Sequence, residues 1–128
     1  MAKILVVDDE EPVRELLAMV LEAVGHQVQQ AIHGRQALDL AAQQPPDLVI
    51  VDAMMPVMGG AELCRRLKST PSTAAVPVIL MSAAGAPAAR GANADAFLAK
   101  PFNLSDMETL VQQWLPPGLP GEMVPPRG

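Results

Sequence analysis

Short apolar runs alternate with amphipathic segments along most of this chain, and that alternation constrains its fold more than any other feature. Four aliphatic runs bounded by Asp, Pro or Gly predict buried strands at residues 4–7, 48–51, 78–81 and 96–99. A more polar run at residues 27–32 predicts a weaker strand at the edge of a sheet. The chain is therefore expected to form five short strands.

Helical periodicity fills the intervals between these strands. After Pro12, apolar residues recur at intervals of three or one positions as far as Val24, which is the pattern of one helix face. Pro12 suits the first turn of this helix, and Gly25 suits its C-terminal cap. Three further helices are predicted, at residues 35–44, at residues 61–69, and around residues 107–114 with Asn103 or Ser105 as the N-cap.

Strands that alternate with helices pair in parallel through right-handed crossovers, which place helices on both faces of the sheet. The expected fold class is therefore α/β, with a doubly wound sheet of five parallel strands. Such sheets bind their ligands at the carboxyl ends of the strands. Residues 116–128 are rich in Pro and Gly and predict a disordered tail or linker instead of a second domain.

Composition argues against several functions. The net charge of −5 is unfavourable for direct binding to nucleic acid or to an anionic membrane. The apolar run at residues 4–7 is far too short for a signal peptide or a membrane span. Cys64 is the one cysteine, so no internal disulfide is possible, and a reducing, cytoplasmic location is the simplest expectation.

The predicted strands end in residues that carry chemistry. Asp8 and Asp9 follow the first strand, Asp52 the third, Ser82 the fourth and Lys100 the fifth. Parallel strands bring these ends to one edge, where three repelling carboxylates favour a hard divalent cation such as Mg²⁺. A carboxylate can attack phosphorus and form an aspartyl phosphate, and a nearby ammonium and hydroxyl can hold the phosphoryl oxygens. The sequence thus predicts a phosphoryl-transfer site.

Five motifs give this pattern a family resemblance. They are ILVVDDE at residues 4–10, DLVIVD at 47–52, MPVMGG at 55–60, PVILMSA at 77–83 and FLAKPF at 97–102. In this order and at these spacings, they make residues 2–115 resemble the receiver domain of two-component response regulators. The resemblance implies a flavodoxin-like fold with strand order 2-1-3-4-5, and a receiver domain over residues 1–115 followed by the tail.

The same resemblance implies roles in phosphoryl transfer and metal binding. Asp52 would accept the phosphoryl group from a histidine kinase or a phosphotransfer protein. Asp9 would bind Mg²⁺ directly, Asp8 would bind it directly or through water, and the main-chain carbonyl of Met54 would be a further ligand. Asp52 would complete the metal site. The chain would be a signalling domain that catalyses only its own phosphotransfer and dephosphorylation, and not an enzyme with an external substrate.

Switching is the second property that the resemblance implies. Lys100 would pair with Asp52 at rest and with the phosphoryl group afterwards, while Ser82 would move toward that group. Phe97 would be the aromatic switch that turns inward, and the Lys100–Pro101 bond resembles one that is usually cis in the family. A downstream output protein or domain, which the sequence does not identify, would read the changed surface.

One segment departs from the family pattern. Lys100 follows Ser82 by 18 positions, a few fewer than receivers usually have, and the interval contains Gly85, Pro87 and Gly91. The fourth helix, between strands four and five, is therefore expected to be shortened or absent. Because many relatives dimerise through this region, the expectation for this chain is a monomer or a weak homodimer without direct contact with nucleic acid or membrane.

Two other classes of function remain open from the sequence. The shortened segment favours an adaptor that binds partners without phosphorylation, although all the site residues are present. A phosphatase with an aspartyl nucleophile usually needs a second acid two residues later, and position 54 is Met. Nucleotide binding is disfavoured because neither a Walker-type nor a dinucleotide-type glycine loop is present.

Overall fold

A computed structural model describes residues 2–83 and 93–115 of the chain. Its strands are β1 (Lys3–Val7), β2 (Gln27–Ala31), β3 (Leu48–Asp52), β4 (Val78–Ala83) and β5 (Ala96–Lys100). Its helices are α1 (Glu11–Ala23), α2 (Gly34–Gln43), α3 (Gly60–Lys68) and α4 (Leu104–Trp114). None of the helices in these two ranges is long and apolar enough to span a membrane.

All five strands pair in parallel in the order β2-β1-β3-β4-β5. The predicted α/β class, the five strands and their order are confirmed. The order reverses between β1 and β3, which are direct neighbours although a strand and two helices separate them in sequence. The switch point therefore lies where Asp8 follows β1 and Asp52 ends β3.

Alternating side chains of the buried strands fill two separate cores. On one face, residues such as Leu5, Val49 and Leu80 pack with α2 and α3. On the other face, residues such as Ile4 and Ile50 pack with α1 and α4. Period-two alternation makes this possible because both faces of a parallel sheet are covered by helices. The central strand β3 is buried along its whole length, which gives Asp52 a rigid base.

Side-chain caps set the starts of two helices. Asn103 accepts a hydrogen bond from the main-chain N–H of Asp106 at 2.7 Å, so of the two predicted caps of the last helix it is Asn103 that is observed. The Nδ1 atom of His33 accepts from the N–H of Gln36 in the same way at the start of α2. Gly25 has a φ of 100° just after α1, as its predicted role at the helix end requires.

The expected shortening of the fourth helix concerns residues 84–92, which lie outside the described part of the chain, as does the expected tail at 116–128. The description resumes before β5 with a well-anchored residue. Asp95 donates its N–H to the carbonyl of Val78 at 2.9 Å and accepts the Val78 N–H at 2.7 Å. The ammonium of Lys68 binds the same Asp95 carboxylate at 2.6 Å. These contacts fix the start of β5 against β4.

Candidate functional site

The predicted convergence of charged strand ends is observed. Asp8 follows β1, Asp52 ends β3 and Lys100 ends β5. One carboxylate oxygen from each of Asp8, Asp9 and Asp52 lies within 4.8 Å of the others. Lys100 Nζ lies 2.9 Å from Asp52 Oδ1 and 4.0 Å from Asp8 Oδ2. Four of the predicted site residues therefore form one cluster at the carboxyl edge of the sheet.

Lys100 is the cation of this cluster. Burial alone would lower the pKa of its ammonium. The hydrogen bond to Asp52, together with the charges of Asp52, Asp8 and Glu10, outweighs burial and raises the pKa of Lys100 above its usual value. Asp52 is only 4% exposed and Lys100 is partly buried, so this charge-assisted hydrogen bond is partly shielded from water.

Asp8 is fully buried, and one of its carboxylate oxygens is not compensated. Oδ1 accepts the main-chain N–H of Glu10 at 2.8 Å, whereas Oδ2 has no hydrogen-bond partner among the described residues. Burial raises the pKa of Asp8 from 3.8 to about 6, the Glu10 N–H opposes that shift, and the charge of Asp52 adds to it. A divalent cation would compensate both the unpartnered oxygen and the repulsion between carboxylates, so the donor set fits Mg²⁺.

The other two proposed metal ligands are residues Asp9 and Met54, both of which are exposed. Asp9 is exposed to solvent, as a residue that shares a hydrated cation should be. Met54 lies two residues after β3, and its side chain is 67% exposed. A thioether is a soft ligand and does not suit a hard cation such as Mg²⁺. Only the main-chain carbonyl of Met54 therefore suits the predicted role of metal ligand.

The loop after Asp52 is anchored closely against the strand. The N–H of Ala53 donates to the carbonyl of Met81 at 2.7 Å, and the N–H of Gly60 donates to the carbonyl of Ala53 at 3.0 Å. A Cβ atom at Gly60 would collide with the carbonyl oxygen of Asp52 and with the Leu80 side chain. Only glycine at position 60 therefore lets α3 start this close to Asp52. The pair Gly59-Gly60 is the feature of the sequence that indicates such a close approach.

The two predicted switch residues lie on β4 and β5, the strands that end beside Lys100. Ser82 is 7% exposed, and among the described residues its hydroxyl donates to the carbonyl of Ala83 at 3.3 Å. Phe97 is 54% exposed, so its ring points outward from β5. The Lys100–Pro101 peptide bond is cis, as the resemblance implies.

Arg14 is a buried residue near the site that the sequence reasoning did not select. It shares the buried face of α1 with Leu17, Ala18 and Leu21 and is only 9% exposed. Its guanidinium Nη1 donates to the main-chain carbonyl of Asp8 at 3.0 Å. The signal in the sequence is its spacing, since residues 14, 17, 18 and 21 fall on one helix face and an arginine there is unusual.

The sequence matches the family described as response regulator receiver domain over residues 4–112, and the chain belongs to this family. Response regulator MprA of Mycolicibacterium vanbaalenii is 42% identical over 109 residues, which are 82% of this chain and 46% of MprA. The chain spans about half the length of the curated relatives it matches.

Solved structures agree with this assignment. Chemotaxis protein CheY4 of Vibrio cholerae has a TM-score of 0.84 and 30% identity, with 90% of this chain and 99% of CheY4 covered. The receiver domain of a signal transduction histidine kinase from Syntrophus aciditrophicus has a TM-score of 0.86 and 32% identity, with 98% of each chain covered. The chain is thus a receiver domain of the two-component class with the predicted flavodoxin-like fold.

Proposed function

We propose that Asp52 is the phosphoacceptor of a phosphorelay switch and receives its phosphoryl group from a histidine kinase or a phosphotransfer protein. The observation that carries this proposal is the placement of the Asp52 carboxylate, which is nearly buried, bonded to Lys100 at 2.9 Å and adjacent to Asp8 and Asp9. A nucleophilic carboxylate beside a fixed cation and two further acidic groups meets the needs of phosphoryl transfer.

The chemistry is a displacement at phosphorus. A carboxylate oxygen of Asp52 attacks the phosphoryl group of a phosphohistidine, the phosphorus–nitrogen bond breaks, and the imidazole nitrogen takes the electron pair. The product is an acyl phosphate on Asp52. Lys100, which is bonded to Oδ1 before the reaction, is within reach of the new phosphoryl oxygens and can neutralise their charge.

Mg²⁺ would be held by Asp8, Asp9, Asp52 and the main-chain carbonyl of Met54, and would supply charge neutralisation at the phosphoryl oxygens when bound. The unpartnered Oδ2 of Asp8 supports this assignment. The other steps of the transfer depend on the residues of the chain. Asp52 supplies the nucleophile, Lys100 pairs with charge before and after transfer, and the nearly complete burial of Asp52 limits attack by water.

Switching would follow from the added charge. A phosphoryl group brings roughly −1.5 to −2 charges and three acceptor oxygens to Asp52. Ser82, whose present hydrogen bond to Ala83 is long, would turn to donate to one of these oxygens. Its movement would open space for the ring of Phe97, which is now half exposed. The surface of β4 and β5 would change, and an output protein or domain would recognise it.

The setting of this switch is also a proposal. We place the chain in the cytoplasm as a monomer or weak homodimer. It would contact neither nucleic acid nor membrane itself, and the net charge of −5 supports this last point. The relative RpaA of Synechocystis is described as a DNA-binding transcriptional regulator, and this chain corresponds to 49% of its length. We infer that, in relatives of this kind, contacts with DNA are made by the part of the relative that this chain does not match.

Intact mass spectrometry tests the function directly. The wild-type chain is incubated with MgCl₂ and acetyl phosphate and should gain about 80 Da, the mass of one phosphoryl group, as a base-labile adduct. Asp52→Asn is the matched control and should show no gain, and EDTA should abolish the gain of the wild type. A folded chain that binds Mg²⁺ but stays unmodified would favour the adaptor that acts without phosphorylation.

A further inference from the structure

Arg14 brings a positive charge into the protein interior without making contact with the reacting carboxylate. Its guanidinium reaches two neighbouring strands. Nη1 donates to the main-chain carbonyl of Asp8 after β1, and Nε donates to Oε1 of Gln30 in β2, both at 3.0 Å. The bond to Asp8 is buried, so water does not weaken it. Arg14 thereby ties α1 to the strand end that supplies the acidic pair.

Asp8 is fixed at every polar atom except one. Its N–H donates to the carbonyl of Ala31 at 3.2 Å, its Oδ1 accepts from Glu10, and its carbonyl accepts from Arg14. Only Oδ2 remains without a hydrogen bond among the described residues, with the ammonium of Lys100 at 4.0 Å. The direction of Oδ2 therefore depends on the bonds that hold the rest of the residue. The bond from Arg14 also fixes the peptide plane that leads into Asp9.

We propose that Arg14, oriented by Gln30, is a positioning residue for Mg²⁺ binding by Asp8 and Asp9. This inference rests on the proposed function, because it assigns a role toward the cation of that site. The planar guanidinium presents two donors at fixed angles, one to each strand, whereas a lysine ammonium lacks this fixed geometry. Groups that orient metal ligands affect metal affinity strongly, although they do not touch the metal.

A simple structural tie between helix and sheet is the competing explanation, and the chain contains a matched example of one. Lys68 is also a partly buried cation with two acceptors. It donates to the carbonyl of Val76 at 2.8 Å and to the carboxylate of Asp95 at 2.6 Å. These contacts lie at the amino ends of β4 and β5, the edge of the sheet opposite to the acidic cluster. Lys68→Met therefore removes a comparable tie far from the cation site.

Isothermal titration calorimetry with MgCl₂, without any phosphodonor, separates the two explanations. Arg14→Met should raise the Kd for Mg²⁺ by about tenfold, the lower end of the range for residues that orient ligands. Gln30→Leu should raise it less, and Arg14→Lys should recover part of the loss. Lys68→Met should lower the thermal midpoint but leave the Kd unchanged.

Kinetics give a second readout. With acetyl phosphate, Arg14→Met should need more Mg²⁺ for half-maximal phosphorylation of Asp52, while its rate at saturating Mg²⁺ returns close to that of the wild type. A lost maximal rate with unchanged Mg²⁺ dependence contradicts the positioning role.

The outcomes distinguish this inference from the proposed function. If the wild type binds Mg²⁺ and folded Arg14→Met binds it equally well, the positioning role is overturned alone. If Arg14→Met does not fold, Gln30→Leu and Arg14→Lys carry the test, and unchanged Kd values in both overturn the role. A wild type that binds no Mg²⁺ overturns the metal site and this inference together.

Discussion

Lys100 and Asp52 form a hydrogen bond of 2.9 Å between the last residues of β5 and β3, across the end of the intervening strand β4. The bond joins the edge of the sheet to its fully buried central strand. Under the proposed function, a change in charge at Asp52 would therefore act directly on β5, the strand that carries Phe97. Removal of Lys100 should therefore distinguish the proposed phosphoryl transfer from the proposed binding of Mg²⁺.

Lys100→Met should slow phosphorylation of Asp52 by acetyl phosphate about 100-fold, the usual effect of deleting one group that stabilises transferred charge. Its affinity for Mg²⁺ should stay the same or rise, because a positive charge 4.0 Å from Asp8 Oδ2 is removed. The measurements are the rate of the mass gain at saturating Mg²⁺ and a calorimetric titration. An unchanged rate would show that Lys100 has no part in the transfer.

Stability should depend on pH through Asp8. Burial is the largest effect on the pKa of Asp8, which is raised from 3.8 to about 6. Between these two pH values the folded chain therefore binds more protons than the unfolded chain. The stabilisation that protonated Asp8 provides is complete below pH 3.8 and is lost as the pH rises through about 6.

In EDTA, Asp8→Asn should therefore exceed the wild type in free energy of unfolding by roughly 2 kcal/mol at pH 7.5, and by much less at pH 4. Urea unfolding across this range measures the difference. Mg²⁺ should reduce it at pH 7.5 by stabilising only the wild type, and an equal difference at both pH values would contradict the prediction.

Gly60→Ala should lower the free energy of unfolding by about 2 kcal/mol, because the new Cβ meets the carbonyl of Asp52 and the backbone of Ala53. Gly34→Ala is the matched control, since Gly34 also begins a helix. The three atoms nearest to its Cβ all belong to the side chain of Met58, and a flexible side chain gives way more easily than backbone, so the loss should be smaller than at Gly60. Chemical denaturation of both variants measures the contrast, and equal losses would show that the close approach of α3 is not limiting.

Val57→Gly should raise the free energy of unfolding by about 0.5–1 kcal/mol. Val57 has a φ of 68°, a left-handed conformation that is unfavourable for a β-branched residue, and its side chain is fully exposed, so little packing is lost. Val24→Gly is the control. Val24 is also exposed but has a φ of −98°, so glycine there should only add flexibility to the unfolded chain and destabilise. Destabilisation by both variants would mean that strain at Val57 is negligible.

The sequence predicted the sheet and most of the site because both depend on local patterns. Aliphatic runs determine buried strands, parallel pairing determines that their carboxyl ends converge, and Asp8, Asp52 and Lys100 stand at those ends. The helix bounds differ by a residue or so, as at α2, where Gly34 begins the helix instead of Arg35 because His33 provides the cap.

Features that depend on contacts between distant residues were not predictable in the same way. The unpartnered oxygen of Asp8 results from how Glu10 and Arg14 use its other polar atoms. The φ of Val57 depends on loop closure between β3 and α3, and glycine is absent where that conformation would favour it. Phe97 is exposed while its neighbours Ala96 and Leu98 in β5 are buried, and the apolar run at residues 96–99 did not indicate which face of this strand would be left exposed.

Strand β5 is fastened to the sheet before it begins, because Asp95 exchanges two hydrogen bonds with Val78 and binds Lys68. The two bonds with Val78 continue the β4–β5 register, in which Ile79 pairs with Ala96 and Ser82 with Ala99, so β5 is held against β4 from its first residue. We therefore expect the register of β5 to tolerate changes in the connection between β4 and β5. Grafts of different length and composition at this connection should then leave Asp8, Asp9, Asp52 and Lys100 together at the carboxyl edge of the sheet, so this connection is the place where the chain could be altered without loss of the candidate site.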